Sequence, residues 1–248
     1  MRSLSARSRT LSLLTVVASC AGAAPASAAT PTVESMVVGR AKVLAPVAQV
    51  RAAAANVKVG GRTCKVGAAT PLAVLAAVRR TGGPAFALRD YGTCSKRTAD
   101  AGGLFVRRIG SEANKGQDGW VYKVDGRNGT TPAADPSGAF GTSRLLRTGQ
   151  RVLWFWCDMG TTGCQRTLRV DAPRTVSSSG ALTVRVQGLD DRGKATPVAG
   201  AAVTAGTASA TTTADGTATL AGPWSGTITV EAAKAGLVPS FPEEVLAG

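Results

Sequence analysis

The chain has 248 residues, 44% of them hydrophobic, and a formal net charge of +14 from 29 Lys and Arg against 15 Asp and Glu. It contains no histidine, which excludes Ser-His-Asp and Cys-His catalysis, histidine-ligated zinc and imidazole acid–base chemistry. Phosphate-binding glycine loops, calcium loops and a separated pair of carboxylates of the glycosidase kind are not found either, so we expect no enzyme, no catalytic residue, no cofactor and no metal.

Residues 1–28 have the pattern of a secretory signal peptide. Three arginines lie in the first nine residues, an apolar run follows over residues 11–19, and small residues end at Ala28 in an A-x-A cleavage pattern. The apolar run is shorter than the roughly 20 residues of a membrane-spanning helix. We therefore expect a secreted, extracytoplasmic protein without a transmembrane segment. Cys20 leaves an alternative open, because Val17-Ala18-Ser19-Cys20 resembles a bacterial lipobox, in which the cysteine carries a lipid anchor at the cell surface.

Charge divides the remaining chain into two parts. Residues 29–172 carry 21 Lys and Arg against 9 Asp and Glu, whereas residues 173–248 carry 5 against 6. Such a step indicates two domains. The basic part could meet an anionic polymer of the cell envelope. No nucleic-acid partner is expected, because the basic pairs are scattered along the sequence rather than clustered.

The first predicted elements lead into a helix. Residues 29–56 are rich in Ala and Val with little periodicity, and we interpret them as a linker or edge strand. A hairpin is predicted over 57–66, where alternating residues flank a Gly-Gly turn. The helix begins at Thr70, which can cap the first turn, with Pro71 in the first helical position. The run Gly82-Gly83-Pro84 ends it.

Strands dominate the rest of the chain. They are predicted over residues 104–109, 120–124 and 151–157, and the last of these is apolar on both faces, so we expect both faces to be covered. A sheet with one helix packed on it gives a β-rich α+β domain over residues 57–171, for which we predict a β-grasp-like topology. Short strands at about ten-residue spacing predict an Ig-like β-sandwich over residues 172–248.

The four cysteines after the signal peptide predict two disulfides, because an even number of cysteines is typical of an exported chain. Four cysteines allow three pairings. We favour Cys157 with Cys164, which closes a short glycine-rich loop, and Cys64 with Cys94. A zinc site built from the four thiolates is the alternative, but the closely spaced cysteine pairs of structural zinc sites are absent.

Four aromatic residues form the candidate ligand-binding site. They lie at strand spacing on two strands that we expect to share a sheet: Trp120, Tyr122, Trp154 and Trp156. One interpretation makes them the core beneath the helix. The other leaves one face of the sheet open to stack a sugar or another flat ligand, because exposed apolar patches usually mark interfaces.

Three motifs carry a resemblance to a known family. They are Thr70-Pro71-Leu72, Gly119-Trp120-Val121-Tyr122-Lys123-Val124-Asp125-Gly126 and the run LRTGQRVLWFW over residues 146–156. In this respect residues 57–171 resemble the bacterial family related to the C-terminal domain of transcobalamin, a domain of unknown function. Two turn positions depart from the family pattern: Asp125 stands for the usual Asn and Gln150 for the usual Asp. Residues 172–248 are similar to Ig-like modules of the carboxypeptidase-regulatory type.

The resemblance implies a small domain that, in transcobalamin, closes over cobalamin against a helical barrel. This chain has no room for such a barrel, so a corrinoid ligand would need a second polypeptide. We therefore expect a secreted or cell-surface, non-enzymatic binding protein of unknown ligand. The alternatives are a structural or adhesive envelope-associated protein with an Ig-like spacer, and a module that binds a small corrinoid-like or sugar ligand on the aromatic sheet face.

Overall fold

A computed structural model describes residues 30–248, and the predicted signal peptide with Cys20 lies outside the described residues. The protein is a β-rich α+β protein with several sheets and few helices. The N-terminal unit has one α-helix, α1 (Pro71–Arg80), and a short 3₁₀ helix (Thr98–Gly103). Its strands are β1 (Thr32–Val38), β2 (Val43–Arg51), β3 (Ala55–Val59), β4 (Arg62–Val66), β5 (Phe86–Asp90), β6 (Leu104–Ile109), β7 (Glu112–Ala113), β8 (Gly119–Val124), β9 (Arg127–Asn128) and β10 (Arg151–Cys157).

The central sheet of the N-terminal unit has the strand order β2-β1-β10-β8-β9. β1 runs parallel to β10, with Glu34 opposite Arg151, while the other neighbours are antiparallel. Two smaller sheets, β3-β4 and β5-β6-β7, lie beside it. The β8-β9 turn is formed by Asp125 and Gly126, which both have positive φ, as a two-residue hairpin turn of type I′ requires.

Residues 30–56 form β1, β2 and the start of β3, so the predicted linker is wrong, whereas the edge strand that the sequence also indicated is present in β2. Only β2 lies at the edge, whereas β1 is an interior strand. β1 is buried on both faces and so lacks the polar alternation that would have marked it. β2 contains Pro46 at a shift in register, which an edge strand tolerates because one side of its backbone needs no partner.

Helix α1 covers the front face of this sheet. The Thr70 hydroxyl accepts a hydrogen bond from the Ala73 amide at 3.3 Å, which caps the first turn as predicted. Eight of the ten helical residues are buried, and only Arg79 and Arg80 in the last turn are exposed. The Trp154 indole on β10 donates to the carbonyl of Pro71 at 3.3 Å, which joins the start of the helix to the middle of the sheet.

The C-terminal unit consists of two sheets that enclose a second core. One has the order β11-β13-β14 with β17 also paired to β13, and the other has the order β12-β19-β18-β15-β16. Leu182 and Val184 from the first sheet pack with Val203 and Val230 from the second. The strands are β11 (Thr167–Asp171), β12 (Thr175–Val176), β13 (Ala181–Leu189), β14 (Ala195–Pro197), β15 (Ala202–Ala205), β16 (Ala208–Thr211), β17 (Thr217–Ala221), β18 (Thr227–Ala233) and β19 (Glu243–Ala247).

The C-terminal unit covers the rear face of the central sheet. Leu153 and Phe155 of β10 form a buried cluster with Met36 of β1 and with Val238 and Phe241 from the C-terminal unit. The sequence predicted that both faces of β10 are covered. The helix covers the front face and the C-terminal unit covers the rear.

Two cationic side chains reinforce this junction. Lys123 on β8 is buried, and its ammonium group donates to the Thr167 hydroxyl at 3.2 Å and to the carbonyls of Leu189 and Asp190 at 3.0 and 2.9 Å. All three of its N–H groups are thus used. Arg151 on β10 pairs with Glu34 at 2.7 Å and makes a second, two-pronged contact with Glu243 of β19.

We expect the junction to strengthen as the pH rises from 7 to 10. Burial lowers the pKa of Lys123 from 10.5 to about 8, against the opposing carboxylates of Asp191 and Asp190. Between these two pH values the unfolded chain binds more protons than the folded one, so the free energy of unfolding rises as the pH rises from about 8 to 10.5 and falls again when the pH is lowered over the same range. The expected gain between pH 7 and 10 is about 2 kcal/mol relative to the Lys123→Met variant. Urea unfolding of the wild type and of Lys123→Met at each pH measures this gain, because every other titrating group is present in both proteins and cancels in the difference. A difference in unfolding free energy that does not change with pH would contradict the prediction.

Two disulfides join Cys64 to Cys94 and Cys157 to Cys164, the pairing favoured from the sequence. The first ties β4 to the segment after β5, and the second closes the loop after β10. Disulfides are typical of proteins that reside in an oxidising compartment outside the cytoplasm. Over residues 30–248, no helix has both the length and the hydropathy needed to cross a bilayer.

Candidate ligand-binding cleft

The four aromatic residues predicted as a site come together on β8 and β10. Trp120 pairs with Trp156 across the strands, and Tyr122 pairs with Trp154. The rings of the first pair meet edge to face with centroids 5.8 Å apart, and those of the second pair are tilted and 5.4 Å apart. Both arrangements are favoured for aromatic pairs.

The structure buries all four of these aromatic side chains, so the aromatic face is not an open platform. None is more than 7% exposed. Each polar atom already has an internal partner. The indoles of Trp120 and Trp156 donate to the Glu112 carbonyl at 2.8 Å and to Asp158 at 2.9 Å, and the Tyr122 hydroxyl donates to the Thr131 carbonyl at 2.7 Å. Burial raises the pKa of Tyr122 above its ordinary value, so the phenol remains a donor. The interpretation of these four residues as core therefore fits the structure. The alternative, an open face of the sheet on which a ligand stacks, is wrong for these residues.

A cleft nevertheless reaches down to three of these rings. It has a volume of about 490 Å³, and we call it the aromatic cleft. Trp120, Tyr122 and Trp154 form its floor. One wall is the segment 102–106, from the end of the 3₁₀ helix into β6, and the other is the loop over residues 128–133. Trp156 is not part of it, because the guanidinium of Arg40 lies over that ring at 4.0 Å.

The mouth of the cleft is an exposed aromatic pair that the sequence analysis missed. Tyr91 is 67% exposed and Phe105 is 44% exposed, and their ring centroids are 6.0 Å apart. The two residues are fourteen positions apart and meet because β5 and β6 pair, with Arg89 opposite Phe105. A period-two pattern in β6, where Leu104 and Val106 are buried, is the signal that could have identified Phe105 as an outward-facing aromatic.

The wall over residues 128–133 depends on a glycine. A Cβ atom at Gly129 would lie 2.0 Å from the Tyr122 ring, so only glycine lets the loop approach the floor of the cleft. Beside it, the buried Oδ1 of Asn128 has no hydrogen-bond partner among the residues that the structure describes.

The aromatic cleft has room for a small flat ligand. Its floor is aromatic, and Thr130 and Thr131 contribute polar groups to one wall. Binding sites of this kind combine an apolar lining with a few polar groups that orient the ligand. Across residues 30–248, no three Cys, Asp or Glu side chains are grouped as metal ligands.

The chain matches no protein-family model, no curated protein sequence and no solved structure.

Proposed function

We propose that this chain is a secreted or cell-surface, non-enzymatic binding protein that holds a sugar ring or a similar flat ligand in the aromatic cleft. The observation that carries the proposal is the exposed Tyr91–Phe105 pair above a cleft floored by three aromatic rings. Exposed aromatic side chains are unfavourable in water unless a partner covers them, and they stack readily on flat apolar faces.

The fold proposed for the two units is a β-grasp-like domain followed by an Ig-like β-sandwich. The order β2-β1-β10-β8 with β1 parallel to β10 and α1 across the sheet supports the first, and two facing sheets that are antiparallel except for the β12-β19 pair support the second. The two positions that depart from the transcobalamin C-terminal family pattern contact each other, because Gln150 donates to Asp125 at 2.7 Å.

A structural or adhesive envelope protein is the second candidate function. The observation that favours it is the concentration of positive charge in residues 29–172, which suits attachment to an anionic envelope. The C-terminal unit would then be a spacer, with the junction at Lys123 and Arg151 making it a rigid one. Such a role would not depend on the mouth of the aromatic cleft.

The test measures how strongly the full chain, purified from the organism that produces it, is retained on a panel of polysaccharides. The panel contains chitin, peptidoglycan, polygalacturonate and fully methyl-esterified polygalacturonate. We expect at least one of them to bind the wild type, and the double variant Tyr91→Ala, Phe105→Ala to bind it at least tenfold more weakly, because burying one large apolar side chain against a ligand contributes about 1.5–3 kcal/mol.

The matched control removes two other exposed apolar side chains. Leu145 is 42% exposed and Met159 is 41% exposed, and neither lines the cleft. The variant Leu145→Ala, Met159→Ala should bind as the wild type does. Equal binding by the wild type and the cleft variant would assign retention to the adhesive alternative, and the absence of binding to the whole panel would reject the cleft as a sugar site.

A further inference from the structure

A groove of positive charge adjoins the mouth of the aromatic cleft. Four exposed cationic residues of the β3-β4 hairpin and of β5 and β6 line it, and we call them the basic shelf: Lys58, Arg62, Arg89 and Arg107. The groove has a volume of about 600 Å³ and is open to solvent along its length.

Three of the four positive charges of the shelf have no acidic partner within the part of the protein that the structure describes. Asp90 is the single carboxylate in its lining, and the Asp90 side chain is only 2% exposed. That carboxylate accepts from Arg62 at 3.0 Å and from the amides of Gly92 and Cys94 at 2.9 and 3.0 Å. In the part of the chain that the structure describes, no acidic side chain pairs with Lys58, Arg89 or Arg107.

The shelf and the aromatic pair form one continuous surface. Phe105 and Arg107 both point outward from β6, and Arg89 lies opposite Phe105 on β5. The Arg89 guanidinium lies 4.7 Å from the centre of the Tyr91 ring. Arg89 therefore contacts a ring at the mouth of the aromatic cleft and also lines the groove, so it connects the aromatic pair to the basic shelf.

We propose that this surface binds an anionic polysaccharide, with a sugar ring against Tyr91 and Phe105 and the acidic groups of neighbouring sugars on Arg89, Arg107 and Lys58. The inference rests on the proposed function and adds the charge and the polymeric nature of the ligand. Arginine recognises carboxylate and phosphate groups through paired N–H donors, and a groove of several uncompensated cations suits a repeating anion better than a single one.

A polysaccharide fits this surface better than a nucleic acid. The two rings at the mouth are inclined at 67°, so they do not offer the parallel platforms on which successive bases stack. The disulfides are also typical of the compartment in which envelope polysaccharides occur.

The experiment compares one polymer in two charge states. Biolayer interferometry measures binding of the full chain to polygalacturonate and to fully methyl-esterified polygalacturonate. The salt concentration is varied about sixfold, from about 50 to about 300 mM. We expect the charged form to bind at least tenfold more tightly at low salt, and the double variant Arg89→Gln, Arg107→Gln to lose that preference and flatten the salt dependence.

The control variant is Arg174→Gln, Arg185→Gln, which removes the same charge from exposed positions of the C-terminal unit. It should keep the wild-type preference. Equal binding of the two polymer forms, with loss in the Tyr91→Ala, Phe105→Ala variant, would overturn the anionic ligand and leave the cleft as a neutral sugar site. Tighter binding to poly(dT) than to polygalacturonate would overturn the polysaccharide in favour of a nucleic acid, and binding to neither polymer form would overturn the inference as a whole.

Discussion

The Phe155→Ala variant is expected to lose about 3–5 kcal/mol of unfolding free energy, the usual cost of truncating a buried phenylalanine. Phe155 is fully buried in the cluster between the central sheet and the C-terminal unit. The ammonium of Lys123 also lies 5.7 Å from the centre of its ring, so the truncation loosens the packing beside the buried charge. Urea unfolding followed by far-UV circular dichroism and by tryptophan fluorescence measures the loss.

The same substitution at Phe105 provides the control. Phe105 is 44% exposed, so Phe105→Ala should change the unfolding free energy by less than about 1 kcal/mol. The contrast depends on the C-terminal unit packing against the rear of the sheet. If Phe155→Ala cost no more than Phe105→Ala, the rear face of β10 would be open in solution.

Removing the Cys64–Cys94 disulfide is expected to have the second large effect. Its cysteines are 30 residues apart, and the loop that they close contains α1 and β5. Constraint of an unfolded loop of this length corresponds to about 3.6 kcal/mol. The Cys64→Ala, Cys94→Ala variant should therefore unfold at a clearly lower urea concentration than the wild type.

The second disulfide is a built-in comparison, because Cys157 and Cys164 are only 7 residues apart. The same relation gives about 2.4 kcal/mol for the Cys157→Ala, Cys164→Ala variant. Unfolding of the two variants under identical conditions tests the order. A greater loss from the short loop than from the long one would show that local packing, rather than loop length, determines what each disulfide contributes.

Local signals allowed several elements to be predicted from the sequence. Two adjacent residues determine the start of α1, since Thr70 caps the helix and Pro71 fits its first position. The turn at Asp125-Gly126 is a local signal as well. The apolar residues on both faces of β10 predicted that other parts of the protein pack against each face. Periodicity alone could not show that the C-terminal unit packs against one of them.

Features that depend on distant parts of the chain were not predictable in the same way. β1 lacks alternation because it is covered on both faces, and the partner that makes it interior lies more than a hundred residues further on. The mouth of the aromatic cleft joins Phe105 of β6 to Tyr91, which follows β5, and the wall of the cleft depends on the close approach of Gly129 to Tyr122. The sequence therefore identified the rings of the floor but not the opening that leads to them.

The parallel pairing of β1 with β10 has a consequence for the order of folding. Glu34 and Arg151, which form an ion pair across the two strands, are separated by 117 residues. At the usual rates of synthesis, about 6 to 23 seconds pass between the appearance of the first and the second. During that interval β1 can pair with β2 on one side but has no strand to pair with on the other, so the central sheet is incomplete until β10 has been synthesised. The local pairs β3-β4 and β5-β6 do not need β10, so the central sheet is the part of the N-terminal unit that is completed last.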